Sequence, residues 1–227
     1  MLRAARALAR RFNVQPYAAL RLDKQLPAAS GIGGGSSDAA ATLRALAALW
    51  NQPLDPDDVM QLAVSLGADV PACLDGRPVW VGGIGERLDP LPALPPLGIV
   101  LANPRRELAT GSVFGARQDA FSPGERPRTT FADAVALIGL LRECRNDLAA
   151  AALQLMPEIA TLLERLAALP GAHLARMSGS GATCFALFPD RAAAARGAAL
   201  LTAAAPGWWV RAGVLLSTPP PVRRVGA

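Results

Sequence analysis

The sequence predicts an α+β protein of two domains. Three observations carry that expectation. An alternating segment, a glycine-rich stretch and a long alanine-rich helix follow one another over residues 17–50. A proline-rich break, Leu91–Pro96, separates that half from the rest. A second glycine-rich turn lies between two apolar strand-like runs at 175–188, with an alanine-rich helix and a last strand after it.

The elements follow in order. Leu2–Phe12 is basic and amphipathic and predicts a helix packed on the domain rather than a secretory leader, because it lacks an uninterrupted apolar core. Tyr17–Asp23 alternates as a strand does, and Ala39–Trp50 reads as a helix. Asp55-Pro56-Asp57-Asp58 is a helix start, an acidic cap with proline in the first turn; that helix runs from Val59 to Leu66 and stops at Gly67. Gly67-Ala-Asp69-Val-Pro71 holds a carboxylate in a defined turn. Arg77–Val81 and Leu97–Leu101 predict strands, with a turn at 82–86. Thr110 opens a short helix, 116–130 predicts an exposed loop, and Phe131–Leu141 is apolar and helical. Asn146-Asp147-Leu148 begins a further helical region that restarts at Pro157 and runs to Leu169. Ala175–Phe188 reads as strand, turn, strand; Arg191–Ala205 as helix; Trp208–Leu216 as strand. Ser217–Ala227, with three prolines together, predicts a disordered tail.

Composition narrows the chemistry. With 227 residues, 52% hydrophobic and 18% charged, the chain can bury a substantial core. The net charge of +5 comes almost wholly from scattered arginines. That pattern fits anionic small molecules better than nucleic acid, which calls for a basic stripe interleaved with aromatics. No apolar run is long enough for a membrane span. Cys73, Cys144 and Cys184 are odd in number and widely spaced, which speaks for a reducing cytoplasm and against zinc or disulfides. His173 is the only histidine, so histidine triads and multi-histidine metal sites are excluded within this chain.

The chemistry concentrates in Pro27-Ala-Ala-Ser-Gly-Ile-Gly-Gly-Gly-Ser-Ser-Asp-Ala-Ala40. Glycines let backbone approach a ligand, and Ser36, Ser37 and Asp38 fall at the expected helix N-terminus, where free N–H groups and the dipole favour phosphate. A flexible linker would continue in low-complexity sequence, whereas this stretch stops at a helix. It is not a Walker A loop: no Gly-Lys-Ser/Thr follows, and Lys24 is the only lysine. Nor is it a dinucleotide fingerprint, because counting from Gly31 the third glycine position is Ser36.

This stretch resembles the phosphate loop of the GHMP kinases, the small-molecule kinases related to galactokinase, homoserine kinase and mevalonate kinase. Gly67-Ala-Asp69-Val-Pro71, Asn146-Asp147-Leu148 and Met177-Ser-Gly-Ser-Gly-Ala-Thr183 match that family in its order. The Gly-Gly-Gly-Ser-Ser-Asp-Ala form is most similar to the branch acting on a cytidylyl-linked methylerythritol. The resemblance implies a two-domain GHMP kinase fold: an incomplete N-terminal part like domain 2 of ribosomal protein S5 over 1–95, a ferredoxin-like C-terminal domain over 96–216, and the tail over 217–227. It implies ATP as co-substrate with Mg²⁺, and phosphorylation of the substrate's 2-hydroxyl. It assigns ATP to Pro27, Ala28, Ala29, Ser30, Gly31, Ile32, Gly33, Gly34, Gly35, Ser36 and Ser37. Asp69 becomes the acid/base, since an attacking hydroxyl must lose a proton to a positioned carboxylate; standing alone, Asp69 reads first as a turn or cap aspartate. Thr110 and Phe114 become substrate residues, the ring stacking on cytosine; the alternative is a helix cap and a core phenylalanine. Metal ligands are not assigned.

Relatives carry several tens of residues before the glycine loop's leading strand, with an Ala-Lys-x-Asn-Leu and an Asp-Gly-Tyr-His motif. Neither occurs in this sequence. The expectation is a start further upstream. The alternatives are another GHMP small-molecule kinase, of homoserine or mevalonate type, or an inactive remnant that at most binds ATP.

Overall fold

The computed structural model describes residues 1–28, 30–54, 56–122 and 131–223, the side chains of 56–58 aside. The chain divides into two compact units: 1–23 with 33–93 and 217–227, and 24–32 with 94–216. The proline-rich break is one crossing, between Ala93 and Leu94. Two further features were not expected from the sequence: Lys24–Ile32 goes with the second unit, and the tail goes with the first.

The first unit is helical. α1 (Leu2–Phe12) buries Ala4, Ala5, Leu8 and Ala9 and keeps its arginines outward. α2 (Gly34–Leu49) buries Ala39, Ala40, Leu43, Leu46 and Ala47 on one stripe, at the 3.6-residue period of a helix. α3 (Pro56–Leu66) and α4 (Val70–Asp75) complete this core through Ala63 and Val70. Small alanines let α1 and α2 pack closely. α4 was not expected as a helix; Pro71 in its first turn costs nothing there, because those N–H groups have no helical partner. β1 (Val79–Gly82) and β2 (Arg87–Pro90) form an antiparallel hairpin around the expected turn, and β2 is an addition to the sequence reading. In the expected tail, Pro219 packs on Gly76, where a Cβ would lie 2.5 Å from the proline ring. Residues 224–227, the Asp55 cap, the side chains of Asp57 and Asp58, and loop residues 123–130 lie outside the described residues.

Tyr17–Asp23 is not a strand. A strand exists as a hydrogen-bonded ladder, and among the described residues none pairs with this segment. Tyr17 is 83% exposed, and its carbonyl instead accepts from the Trp50 indole.

The second unit is a four-stranded antiparallel sheet in the order β4-β5-β3-β6, from β3 (Gly98–Asn103), β4 (Leu174–Met177), β5 (Cys184–Phe188) and β6 (Trp209–Val214). The first strand of this unit in chain order thus sits inside, with the last at one edge, the ferredoxin-like order. α5 (Thr110–Ala116), α6 (Ala134–Glu143), α7 (Ala149–Leu155) and α8 (Glu158–Ala167) lie between β3 and β4, and α9 (Arg191–Ala204) between β5 and β6. α6 begins three residues later than expected from Phe131, because Asp133 caps it through the Ala136 amide. Ile159, Leu162 and Leu166 of α8, Val100 and Phe188 are fully buried in one core. Trp209 is buried as a packing residue. Among the described residues no helix is long and apolar enough to cross a membrane.

Leu162→Ala leaves a cavity in this core and lowers the unfolding free energy by about 2–5 kcal/mol. A urea titration checks it; a loss well under that range means the core collapses around the site.

Candidate active site

The glycine loop changes character at Ile32–Gly33. Its first half belongs to the second unit and its second half opens α2 in the first.

In the first unit, Gly33 is the N-cap of α2 with φ 65°, a left-handed conformation that glycine adopts without a Cβ penalty. The helix starts at Gly34, five residues before the expected Ala39, so Ser36, Ser37 and Asp38 lie inside its first turns rather than ahead of them. The first helical bond runs from the Ser37 amide to the Gly33 carbonyl. The amides of Gly34, Gly35 and Ser36 precede it and have no intrahelical acceptor, so they and the dipole are suited to receive an anion at the end of a 16-residue helix. Asp69 is the N-cap residue of α4, yet its side chain makes no cap hydrogen bond. Its carboxylate faces the loop instead: Oδ2 is 3.6 Å from where a Cβ on Gly33 would stand. Asp69 is exposed. The geometry therefore favours a carboxylate available for chemistry over a cap. Ser36 Oγ lies 4.0 Å from the Cβ position of Gly67, on the Gly-Ala-Asp turn.

In the second unit, Ser30 and Gly31 are clasped by the turn Ser178–Thr183. The Thr183 amide donates to the Ser30 carbonyl at 3.2 Å, and Ser178 Oγ donates to the Gly31 carbonyl at 3.0 Å. A Cβ on Gly31, whose φ is 70°, would stand 2.3 Å from the Gly181 carbonyl oxygen. Asn103, buried, donates to Thr183 Oγ1 at 2.9 Å. Asn146 donates to the Gly179 carbonyl at 2.8 Å and the Met177 carbonyl at 3.1 Å. Pro27, Ala28 and Ile32 lie in the same unit; Ala29 lies outside the described residues.

Thr110 does not cap α5, whose N-cap is Ala109; its hydroxyl pairs with Ser180 Oγ at 2.9 Å. Phe114 is 49% exposed and is not a core residue. Its ring lies 6.5 Å from that of Phe121, which carries the Arg117 guanidinium 3.5 Å above it. Asp147 pins this stretch, accepting from the Ser122 hydroxyl at 2.6 Å and amide at 2.7 Å. Thus the structure groups Gly33–Ser36 with Asp69 in one unit, and Ser30–Gly31 with Thr110 in the other. Sequence reasoning did not assign Asn103, Asn146, Ser178, Ser180 or Thr183. The available signal was their chemistry: hydroxyls interleaved with glycines, and an asparagine ending an apolar strand.

The family model described as "GHMP kinases N terminal domain" matches residues 1–77, and that described as "GHMP kinases C terminal" matches 131–206. The 4-diphosphocytidyl-2-C-methyl-D-erythritol kinase of Rhodospirillum rubrum is 50% identical over 95% of this chain and 71% of its own length. That of Paracoccus denitrificans is 53% identical over 93% and 71%. A crystal structure of 4-(cytidine 5'-diphospho)-2C-methyl-D-erythritol kinase superposes with a TM-score of 0.71 at 36% identity, covering 94% of this chain and 78% of the other. The chain belongs to the GHMP kinases and, within them, to the 4-diphosphocytidyl-2-C-methyl-D-erythritol kinase family.

The Ser122 hydroxyl, and after it the Ser122 amide, hold the Asp147 carboxyl below the usual carboxylate range. A folded-state pKa below the unfolded one contributes stability that is present above the unfolded value and lost as pH falls through the folded value. The stability gap between wild type and Asp147→Ala is therefore small, fully open above the ordinary aspartate value of about 4, and narrowing as the pH falls below it. Thermal melts across that range check it; a gap that does not narrow on acidification contradicts the assignment.

Proposed function

We propose that the chain transfers the γ-phosphoryl group of ATP to the 2-hydroxyl of 4-diphosphocytidyl-2-C-methyl-D-erythritol. The products are the 2-phosphate and ADP, in the non-mevalonate route to isoprenoid precursors. The single observation that carries this reading is Asp69: a carboxylate not spent on capping, set against a glycine-capped helix N-terminus. Identities of 50% and 53% over 95% and 93% of this chain to kinases of that name support the substrate class.

In this reading the amides of Gly34, Gly35 and Ser36, with the α2 dipole, bind ATP phosphates, and Ser30 and Gly31 shape the loop leading to them. Ser36 and Ser37 add hydroxyl donors. Asp69 accepts the proton of the 2-hydroxyl as its oxygen bonds to the γ-phosphorus; the bond from that phosphorus to the bridging oxygen breaks, and ADP leaves with the electron pair. Thr110 hydrogen-bonds substrate, and the exposed Phe114 ring stacks on cytosine, a contact worth about 1–3 kcal/mol per base.

Mg²⁺ accompanies the nucleotide. Such an ion binds through one or two carboxylates plus substrate phosphates, so the donor set of Asp69 with the loop hydroxyls fits it. When bound, it neutralises charge on the β- and γ-phosphates. Among the described residues no group of three or more His, Cys, Asp or Glu forms a cage of its own. The three cysteines are free thiols, which supports a cytoplasmic setting, and the substrate in this reading is a small molecule.

Asp69→Asn lowers kcat by about a hundred- to ten-thousand-fold, the usual range for losing a positioned base. ATP affinity, read by calorimetry without Mg²⁺, stays near wild type. Near-normal turnover in that variant removes Asp69 from the chemistry. In a substrate panel only the cytidylyl compound drives ADP release; release with homoserine or mevalonate instead assigns another member of the family.

A further inference from the structure

The Asn146-Asp147-Leu148 motif matches the family, yet no step above uses it. We propose that Asn146 is a positioning residue for the phosphate loop, acting through the turn Ser178–Thr183. The inference rests on the kinase reading, since it takes Ser30 and Gly31 as part of the ATP loop.

The side-chain amide of Asn146 is engaged at both ends. Nδ2 donates to the carbonyls of Met177 and Gly179, and Oδ1 accepts from the Leu148 amide at 3.0 Å. Two acceptors on one side and a donor on the other admit one orientation of the amide. Met177 and Gly179 flank Ser178, whose hydroxyl holds the Gly31 carbonyl. The fit downstream has no slack: the Cβ position of Gly31 is 2.8 Å from the Ser178 carbonyl oxygen, and that of Gly179 is 2.8 Å from the Gly31 carbonyl oxygen. Backbone packed this closely transmits a displacement instead of absorbing it. A shift of the turn therefore moves the Ser30–Gly31 peptide, and Asn146 sets where the turn sits.

Asn146→Asp separates this role from helix capping. A carboxylate still accepts from the Leu148 amide, so α7 keeps its start. It also sets an anionic oxygen against two carbonyl oxygens and releases the turn. We expect Asn146→Asp to weaken binding of a non-hydrolysable ATP analogue about tenfold, equivalent to about 1.4 kcal/mol. Asn146→Ala, which removes the clamp without adding charge, is the second variant and carries the same direction. Ser178→Ala cuts the next link and weakens the analogue less. Combined with Asn146→Asp, its effect is less than additive, because both act on one path. Asp147→Ala is the control: its partner is Ser122, not the turn, and analogue affinity stays within about twofold.

Folded Asn146 variants that bind the analogue within about twofold of wild type overturn the proposal, as do strictly additive effects with Ser178→Ala. Equal weakening by Asp147→Ala overturns it as well, since that marks general loosening. A wild-type chain that binds no ATP analogue refutes the kinase reading and the clamp together; intact wild-type binding with indifferent variants refutes the clamp alone.

Discussion

Everything in the second unit's half of the glycine loop depends on one contact: backbone against backbone, between Ser30–Gly31 and the turn Ser178–Thr183. Two hydrogen bonds close it, and the space between the chains admits no Cβ on Gly31. Such a contact costs flexible glycine its freedom in the folded state, and it is stable only because the turn is itself anchored. The anchors are polar and satisfied: Asn103 on Thr183, Asn146 on Gly179, Thr110 on Ser180. The buried part of this network, Asn103, Ser180 and Thr183, favours one arrangement because a shift leaves a buried donor or acceptor unpaired. The sheet order places β4 beside β5, so the turn joining them is a tight hairpin and not a long connection.

The first unit solves a different problem, an electrostatic one. Its helix α2 begins within the glycine run, at Gly34, so three amides without an intrahelical acceptor and the positive end of a long dipole point the same way. A carboxylate beside such a site is attracted to it. Asp69 meets this condition because α4 starts immediately after it, which fixes its backbone while leaving its side chain outside the helix. The small-residue face of α2 against α1, with Ala40 and Ala47 buried, sets the helix axis and hence the direction of the amides.

Much of the fold was legible because periodicity reports local structure. The helices α1, α3, α8 and α9 and the strands β3 to β6 fall close to where spacing and breakers put them. Tyr17–Asp23 misled because alternation describes a face and not a ladder; pairing is a tertiary fact, and no partner strand is described. The start of α2 was misplaced because glycine's low propensity argued against helix at Gly34 and Gly35, while the packed alanine stripe behind them outweighs that cost of about 1 kcal/mol each. At Thr110 and Phe114 the sequence left two readings open. The Ser180 partner and the exposed ring remove the cap and core alternatives, because neither depends on anything within five residues in the chain.

The family, the fold class and the candidate glycine loop follow from the sequence alone, because glycine runs, hydroxyls and a turn carboxylate at set spacings are local facts of composition and order. Tertiary structure alone decided the rest. It divided the glycine loop between two units, turned Asp69 from a cap into a free carboxylate, and brought Asn146 and Ser178 to bear on Ser30 and Gly31. Those relations join residues far apart in the chain, and only the closing of the sheet and the packing of helices on it makes them neighbours.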